Sequence, residues 1–488
     1  MSATAGGLDA YVGAEHDRVW RRLVAPSDYR NPTPKERYHL AVIGAGPAGL
    51  VTAIVAAGLG AHVALIERTA LGGDCLNLGC VPSKALLDRA RRPGTSFEDA
   101  FEWLRAVRAR LAAHDSVERY VAAGVDVFLG AAQFIDERTL QCGDARLRAR
   151  RIVIATGARP HLPDINGLAD SRPLTNETVF DLRHRPTRLA IVGAGAIGCE
   201  LAQGFARLGV GIDLIESARQ VLPAGPDTAS HAVTAALARD GIRIHLGANI
   251  ERVERGSSGV KLQIGAERVT ADDLVVATGR EPNTDDLNLT AAGVNLDASG
   301  RIVVDNYLRT TNHRIFAAGD VCSALQYTHN ADAHARICVQ NALFFPSAKT
   351  SRLAIPRCIY TDPEVAIVGL TRDELGATAT PFDAHRIEFG TLDRGATQAD
   401  LDGLAEVLTA RGRDTILGAT LIGRDAAEQL APIAVAMTHG LGLGSFSRVV
   451  LPYPTRSEYL KRLADGYHRR RFTPFARRLA SAWLRWRI

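Results

Sequence analysis

Two cysteines five residues apart are the side chains of this sequence whose types and spacing best suit redox chemistry. Cys75 and Cys80 lie in the segment GGDCLNLGCVPSK, which ends at Lys84. If this segment begins a helix, residues i and i+5 approach each other after little more than one turn, within reach of a disulfide once the chain unwinds at Gly79. Helix N-terminal amides and the Lys84 ammonium would favour the reactive thiolate. We predict a redox pair; inert buried thiols and half of a metal site are the alternatives, and the nearby sequence has no Cys-x-x-Cys or histidine cluster to complete a metal site.

A glycine-rich turn precedes the cysteine pair. Gly44, Gly46 and Gly49 lie between the apolar run HLAVIG and the run PAGLVTAIVAAGLG, and Glu67 ends a third run, HVALIE. The first glycine permits a tight turn, the second lets the backbone approach a pyrophosphate, the third lets the helix pack on the strand, and the acid accepts hydrogen bonds from a ribose. The charge-free stretch 40–66 is long enough for a bilayer helix, but its glycines and changing period favour a βαβ unit.

The same unit recurs further along the chain. Gly193, Gly195 and Gly198 lie in RLAIVGAGAIGCELAQGFARLGVGIDLIE, which ends at Glu216, 149 residues after Glu67. Two intact units predict two dinucleotide sites, as hydride transfer from a nicotinamide to a flavin requires. A carboxylate at Glu216 accepts from the 2′-hydroxyl of NAD and repels a 2′-phosphate, so we expect NADH, with NADPH as the alternative.

Three further glycines end apolar runs. Gly157 ends RIVIATG, Gly279 ends DLVVATG just before Arg280, and Gly319 with Asp320 ends RIFAAGD. The first two are typical of a chain that leaves a nucleotide-binding domain. An aspartate after a strand could simply cap a helix, but as the third part of this pattern Asp320 indicates a cofactor contact.

Composition limits the class of protein. The chain has 488 residues, of which 46% are hydrophobic and 23% charged, which indicates a globular protein of several domains and excludes a disordered chain or a small disulfide scaffold. The net charge is +5, and residues 468–488 hold seven arginines and no acid, so the body of the chain does not have the charge of a nucleic-acid binder. The N-terminus lacks a charged region followed by an apolar run, so we expect no signal peptide and a cytoplasmic protein.

The two ends of the chain differ from its centre. The first 36 residues are expected to form a polar arm over the surface. From about 351, runs such as GLAEVLTA and TILGATLIG alternate as strands do, and a helical run covers 425–440. The tail PFARRLASAWLRWRI repeats large apolar residues every three or four positions between arginines. It predicts an amphipathic basic helix, docked on its own or the partner subunit in preference to an anionic membrane.

The sequence resembles the flavoprotein disulfide reductase family, which includes dihydrolipoamide dehydrogenase, glutathione reductase and mercuric reductase. The resemblance extends from about 38 to 461, and GGDCLNLGCVPSK is highly specific to the family. It implies an α/β fold with two Rossmann-like domains, for FAD and NAD(P), and a C-terminal α+β dimerisation domain in a homodimer. We place the divisions at an N-terminal arm 1–36, FAD domain 37–160 and 286–350, NAD(P) domain 161–285, dimerisation domain 351–467 and basic tail 468–488.

The resemblance also implies a role for each site residue. Cys80 would lie against the flavin as the charge-transfer thiolate, and Cys75 would be the interchange thiol that faces the acceptor. Lys84 and Glu200 would pair beside the flavin N5. Gly44, Gly46, Gly49, Glu67 and Asp320 would hold FAD, and Gly193, Gly195, Gly198 and Glu216 would hold the nicotinamide nucleotide. Gly157, Gly279, Arg280 and Gly319 are further expected cofactor-binding residues.

The family pattern breaks near the C-terminus. The disulfide reductases of the family carry a histidine before Pro-Thr as an acid/base, oriented by a glutamate five residues on, but here the segment LPYPTRSE places Tyr453 at the histidine position and retains Glu458. A phenol with a pKa of about 10 shuttles protons poorly at neutral pH compared with an imidazole at about 6.5. Mercuric reductase is similar in having a tyrosine near this position, yet no Cys-x-x-Cys precedes 38 and the last cysteine is Cys358.

We therefore predict an FAD- and NAD(P)H-dependent oxidoreductase that passes electrons from nicotinamide through flavin to Cys75 and Cys80. Its acceptor is expected to be a small molecule or a metal ion of unknown identity, as in a mercuric-reductase-like enzyme, with no resident metal and no nucleic-acid partner. One alternative is dihydrolipoyl dehydrogenase or another disulfide reductase. Another is a reductase that uses the flavin directly on quinones or oxygen.

Overall fold

The computed structural model describes residues 15–487. The first 14 residues, which carry most of the sequence behind the signal-peptide expectation, lie outside the described residues, as does residue 488. The α-helices are α1 Glu15–Val24, α2 Pro47–Gly58, α3 Gly73–Asn77, α4 Cys80–Ala90, α5 Phe97–Ala112, α6 Val117–Ala122, α7 Ala196–Arg207, α8 Asp227–Arg239, α9 Thr328–Leu343, α10 Arg372–Ala377, α11 Asp393–Thr397, α12 Ala426–Thr438, α13 Glu458–Arg471 and α14 Pro474–Trp486.

The strands form one mixed sheet that is mainly parallel, one parallel sheet, one antiparallel sheet in the C-terminal unit and two small antiparallel ones. Their bounds are β1 Tyr38–Ile43, β2 Val63–Glu67, β3 Val125–Leu129, β4 Ala132–Phe134, β5 Thr139–Cys142, β6 Ala145–Ile154, β7 Ala158–Pro160, β8 Arg188–Val192, β9 Gly211–Glu216, β10 Arg243–Leu246, β11 Arg252–Gly256, β12 Gly259–Ile264, β13 Glu267–Ala271, β14 Asp273–Val276, β15 Arg280–Pro282, β16 Ile315–Ala317, β17 Pro356–Ile359, β18 Glu364–Gly369, β19 Phe382–Glu388, β20 Leu404–Ala410 and β21 Ile416–Gly423.

The first glycine-rich unit lies at the centre of a seven-stranded sheet with the order β3-β2-β1-β6-β5-β4, in which β16 also pairs with β6. Strands β3, β2, β1, β6 and β16 run parallel. Strands β1 and β2 are buried on both faces almost throughout, as expected for apolar runs in a helix-covered parallel sheet. The charge-free stretch 40–66 is thus a βαβ unit, and no helix of the described chain has the length and apolar character needed to cross a membrane.

The second glycine-rich unit lies in a four-stranded parallel sheet with the order β10-β9-β8-β14. The strand-end turns at Gly157 and Gly279 lead into β7 and β15, which pair antiparallel with each other. The two segments that leave parallel strands therefore run side by side. The predicted α/β fold with two Rossmann-like units is confirmed.

Part of the predicted polar arm is instead a packed helix. In α1, Trp20 and Val24 are buried in the same apolar cluster as β1 and β2, and Val19 and Leu23 pack against that cluster. The expectation of a surface arm is wrong for this segment, because these four residues share one face of a helix. The pattern escapes notice because it is short and surrounded by charged residues.

The second compact unit comprises 222–236 and the residues from 354 onward. Its sheet is antiparallel with the order β17-β18-β21-β20-β19, and helices α12 and α13 bury apolar faces in its core. The predicted C-terminal α+β domain is confirmed, including the helical run that begins near 425.

The predicted amphipathic tail helix is present as α14. Among the described residues none of its side chains is buried, and Phe475, Leu479 and Trp483 are 72%, 62% and 55% exposed. Docking on its own subunit is therefore wrong for the described chain, because α12 and α13 already close the apolar core of this unit. The partner subunit and an anionic membrane stay open as alternatives.

Candidate active site

The two cysteines lie on either side of a break between two short helices. Helix α3 ends at Asn77, and α4 begins with Cys80, so the single helix considered from the sequence is interrupted at Leu78 and Gly79. A Cβ added to Gly79 would lie 3.0 Å from the Asp74 carbonyl oxygen. The unwinding expected at Gly79 thus places Cys80 at the amino end of α4, where unpaired helix amides favour negative charge.

The Cys75 and Cys80 thiols are near enough to shift each other's pKa, with Cys75 half-buried and Cys80 exposed. Interaction with the Cys75 thiol lowers the pKa of Cys80 to about 6, and the Lys84 ammonium and the Thr328 hydroxyl act in the same direction against desolvation. Thr328 Oγ1 lies 3.3 Å from Cys80 Sγ. The same thiol–thiol interaction, followed by burial, raises the pKa of Cys75. Cys80 is therefore the thiolate of the pair at neutral pH.

Lys84 and Glu200 form a salt bridge between α4 and α7. Lys84 Nζ lies 2.8 Å from Glu200 Oε2, and the Glu200 side chain is only 6% exposed. A buried carboxylate of this kind requires a paired cation. The pair therefore fixes the helix of the thiolate against the first helix of the second nucleotide unit.

The first glycine turn has no room for side chains at its two outer positions. A Cβ at Gly44 would lie 2.4 Å from the Ala155 carbonyl oxygen, and one at Gly49 would lie 1.8 Å from Gly44 O. The Ala45 amide donates to Glu67 Oε2 at 2.7 Å, which fixes the turn to the end of β2. These contacts leave the amino end of α2 free to receive an anion.

The second turn repeats this geometry. A Cβ at Gly198 would lie 1.8 Å from Gly193 O, and the Ala194 amide donates to Glu216 Oε2 at 2.7 Å. A Cβ at Gly195 would meet nothing within 4 Å, so this glycine faces open space at the amino end of α7. The open cradle fits a dinucleotide pyrophosphate.

Arg280 joins the end of the second unit to the thiol segment. Its Nη2 donates to the Ala158 carbonyl at 2.6 Å and to the Asp74 carboxylate, and its Nε lies 3.9 Å from Asp320. Burial raises the pKa of Asp320 to about 6, with Asp74 and Cys80 adding to the shift and Arg280 opposing it. The Arg280 Nε is buried without a hydrogen-bond partner among the described residues, which fits a polar cofactor group here.

Asp74 is a residue that the sequence analysis missed. The signal available was its position directly before Cys75, but no local pattern relates it to Arg280, 206 residues away.

Gly319, which precedes Asp320, has a φ of +79°, and its amide donates to Nδ1 of the buried His334 side chain.

Tyr453 and Glu458 belong to the C-terminal unit, whereas the other predicted site residues belong to the N-terminal one. Tyr453 is 73% exposed and donates its hydroxyl to Asp393 Oδ2 at 2.7 Å. Glu458 accepts from Arg462 Nε at 2.8 Å, and Arg462 in turn lies 3.5 Å from Asp393. The hydrogen bond to Asp393 raises the pKa of Tyr453. The sequence analysis missed Asp393 and Arg462.

Comparison with known proteins decides the family. Residues 38–335 match the pyridine nucleotide-disulphide oxidoreductase family, and 355–464 match the dimerisation domain of that family. The chain belongs to the pyridine nucleotide-disulphide oxidoreductases. It is an NAD(P)H-dependent flavoprotein oxidoreductase of a family that uses FAD, as the sequence predicted.

Relatives within the family differ in their acceptors. Mercuric reductase of Lysinibacillus sphaericus is 32% identical over 447 residues, which cover 88% of this chain and 82% of that enzyme. Dihydrolipoyl dehydrogenase 3 of Haloarcula marismortui is 31% identical over 458 residues, which cover 87% of this chain and 95% of that enzyme. The Cu(II) complex of the HOCl-induced flavoprotein disulfide reductase RclA of Escherichia coli has a TM-score of 0.82 and 27% identity, over 88% of this chain and 99% of that one.

Proposed function

We propose that this enzyme uses NADH and FAD to reduce a thiophilic metal ion held at Cys75 and Cys80. The observation that carries the proposal is the hydrogen bond from Tyr453 to Asp393, at the position where the disulfide reductases of the family have a histidine. Reduction of an organic disulfide requires a proton for the leaving thiolate. A phenol whose pKa is raised by a neighbouring carboxylate supplies that proton poorly, whereas a metal ion accepts electrons without it.

The cysteine pair suits a soft metal ion as substrate. Thiolates are the ligands that soft ions prefer, and Cys80 is exposed with a pKa lowered to about 6. Among the described residues no group of three or more histidine, cysteine, aspartate or glutamate side chains is arranged to hold a resident metal. Two similar proteins, a mercuric reductase and a flavoprotein disulfide reductase solved with Cu(II), support the same class of acceptor.

The cofactor roles are part of the proposal. Bound FAD would take up the hydride of the nicotinamide and supply the electrons that reach the sulfur atoms. The residues proposed to hold FAD are Gly44, Gly46, Gly49, Glu67, Gly157, Gly319 and Asp320. Those proposed to hold NADH are Gly193, Gly195, Gly198 and Glu216, while Gly279 and Arg280 are proposed as further cofactor-binding residues, Arg280 beside Asp320. NADH is favoured because the Glu216 carboxylate, which also accepts from the Ala218 amide at 2.8 Å, would repel a 2′-phosphate.

Other residues act by holding charge. Lys84 stabilises the Cys80 thiolate and keeps Glu200 paired. In a homodimer, which the dimerisation-domain match supports, we propose that Tyr453 and Glu458 of each subunit serve the thiols of the other. Glu458 Oε2 is buried and lacks a hydrogen-bond partner among the described residues, which fits a group completed by a second chain.

An anaerobic acceptor panel tests the proposal. NADH oxidation by the purified holoenzyme is measured with Hg(II), Cu(II), glutathione disulfide or a quinone, and NAD reduction is measured with dihydrolipoamide. We expect the fastest turnover with a metal ion and its loss in Cys75→Ser. Faster turnover with glutathione disulfide or dihydrolipoamide would overturn the choice of acceptor. Quinone turnover that exceeds metal turnover and persists in Cys75→Ser would instead favour direct flavin chemistry.

A further inference from the structure

Helix α1 lies upstream of the region shared with the family and contacts the turn between the two cysteines. The family match begins at residue 38, whereas α1 ends at Val24. The Trp20 indole Nε1 donates to Asn77 Oδ1 at 2.7 Å, and Asn77 is the last residue of α3, between Cys75 and Cys80. The Val24 carbonyl accepts from the Leu71 amide at 3.0 Å, just before α3 begins. The added helix therefore touches the thiol segment at both ends of α3.

Asn77 is fixed by more than this one bond. Its Nδ2 donates to the Leu71 carbonyl at 3.0 Å, and its own carbonyl accepts from Arg108 Nη1 at 3.2 Å. Its side chain is buried, so an unpaired amide here would be costly. These bonds hold the end of α3 at the break in the backbone that brings the cysteines together.

Arg108, which donates to the Asn77 backbone carbonyl, also contacts α1. Its Nη2 lies 2.9 Å from Asp17 Oδ1, and its guanidinium carbon lies 4.0 Å from the centre of the Trp20 ring. Asp17 and Trp20 are three residues apart and share one face of α1. Asp17 and Arg108 are only 2% and 1% exposed, so water does not compete for these contacts.

We infer that α1 is a positioning element for the redox pair, in which Trp20, through Asn77, sets the geometry of the break between α3 and α4 and hence of the Cys75 and Cys80 sulfurs. The inference rests on the redox role proposed for these cysteines. A purely structural α1 would add only the burial of its apolar face to the core. The positioning role and the purely structural role can be distinguished because it is the indole N–H of Trp20 that donates to Asn77.

Trp20→Phe keeps an aromatic ring beside Arg108 and removes the indole N–H that donates to Asn77, together with part of the buried ring. The matched control is Val24→Ala, which removes buried apolar surface from the same helix and leaves the bonds of Asn77 intact. Both holoenzymes are reduced by two electrons without oxygen, and the long-wavelength absorption between the Cys80 thiolate and the flavin is recorded. Metal-dependent turnover and turnover with a dye that takes electrons from the flavin are also measured.

In Trp20→Phe we expect at least about a twofold loss of the long-wavelength absorption and about a tenfold loss of metal-dependent turnover, with dye turnover retained, because a small misplacement of reacting atoms has a large effect on rate. Val24→Ala is expected to keep the absorption of the natural enzyme. Asn77→Ala removes the same bond from its other side, together with the bond from Asn77 Nδ2 to the Leu71 carbonyl, and replaces Trp20→Phe if that variant does not retain FAD. It is expected to lose absorption similarly.

Wild-type long-wavelength absorption and metal-dependent turnover in Trp20→Phe, or in Asn77→Ala where that variant is used, would overturn the inference. A loss of absorption in Val24→Ala equal to that in Trp20→Phe would also overturn it. Failure of the proposed function is separate, because it would appear as unchanged metal turnover in Cys75→Ser.

Discussion

The Tyr453 hydroxyl donates to Asp393 Oδ2 at 2.7 Å, so the phenol proton is held by a carboxylate of the same unit. The two residues lie 60 positions apart in the chain. Under the proposed function, this bond and the lack of an imidazole at position 453 favour an acceptor that takes electrons without a proton from this residue.

Tyr453→His should restore proton transfer. We expect the variant to gain about tenfold or more in the reduction of glutathione disulfide or in dihydrolipoamide oxidation, because an imidazole with a pKa of about 6.5 exchanges protons at neutral pH. Steady-state rates with each acceptor measure the gain. Tyr453→Phe, which also loses the hydroxyl but adds no base, should show no such gain. Equal rates for the histidine and phenylalanine variants would show that residue 453 does not limit the acceptor range.

Alkylation of Cys80 should depend on pH at an unusually low midpoint. Interaction with the Cys75 thiol lowers the pKa of Cys80 to about 6, so the thiolate exists above that pH and is lost as the pH falls through it. We expect iodoacetamide to modify Cys80 of the reduced enzyme at half its maximal rate near pH 6, with the site identified by peptide mass. Cys75→Ala removes the largest cause and should move the midpoint upward. A natural enzyme with a midpoint near that of a free thiol would contradict this assignment.

Gly195→Ala should separate folding from cofactor binding. The added methyl group meets nothing within 4 Å in the protein, so we expect a natural melting temperature without nucleotide. The same methyl group would enter the space proposed for the pyrophosphate, so the Kd for NADH should rise by about tenfold or more. Calorimetric titration with NADH measures it. Gly58→Ala, which also meets nothing within 4 Å, should change neither quantity. Unaltered NADH binding in Gly195→Ala would place the nucleotide elsewhere.

The parts of this site that the sequence predicts are those encoded locally. The contact between Gly198 and the Gly193 carbonyl and the bond from the Ala194 amide to Glu216 both lie within one βαβ unit, so a single stretch of sequence contains the pattern. The turn between Cys75 and Cys80 is predictable for the same reason, because both cysteines and Gly79 lie in one short segment.

The contacts that escaped prediction join distant segments. Asp17 and Arg108 are separated by 91 positions, and neither residue type is expected in a core unless its partner is known. Asp393 beside Tyr453 and Arg280 beside Asp74 are further examples. Helix α1 was missed as well, since its apolar face is too short to stand out among charged neighbours.

Asp17→Asn should destabilise the protein through its buried charges. The variant removes the carboxylate that Arg108 shares with Arg183 and leaves the Arg108 guanidinium, which is 1% exposed, only the Asp181 carboxylate at 3.6 Å. We therefore expect a loss of about 3 kcal/mol in the free energy of unfolding, measured by chemical denaturation. The control Asp88→Asn breaks the exposed Asp88–Arg92 pair and should change the free energy of unfolding by less than about 1 kcal/mol. Equal small effects in both variants would show that the buried pair contributes little.

Truncation after Thr473 should weaken the homodimer. The apolar side chains of α14 are uncovered in the described chain, with Phe475 and Trp486 72% and 77% exposed, and we expect the partner subunit to cover them. Because burial of apolar surface stabilises association, sedimentation velocity of dilute protein should show more monomer for the truncated chain than for the full one. Phe475→Ser combined with Trp483→Ser should act in the same direction while retaining the arginines. If dimerisation is unchanged and the full chain alone sediments with vesicles rich in phosphatidylglycerol, the helix binds an anionic membrane instead.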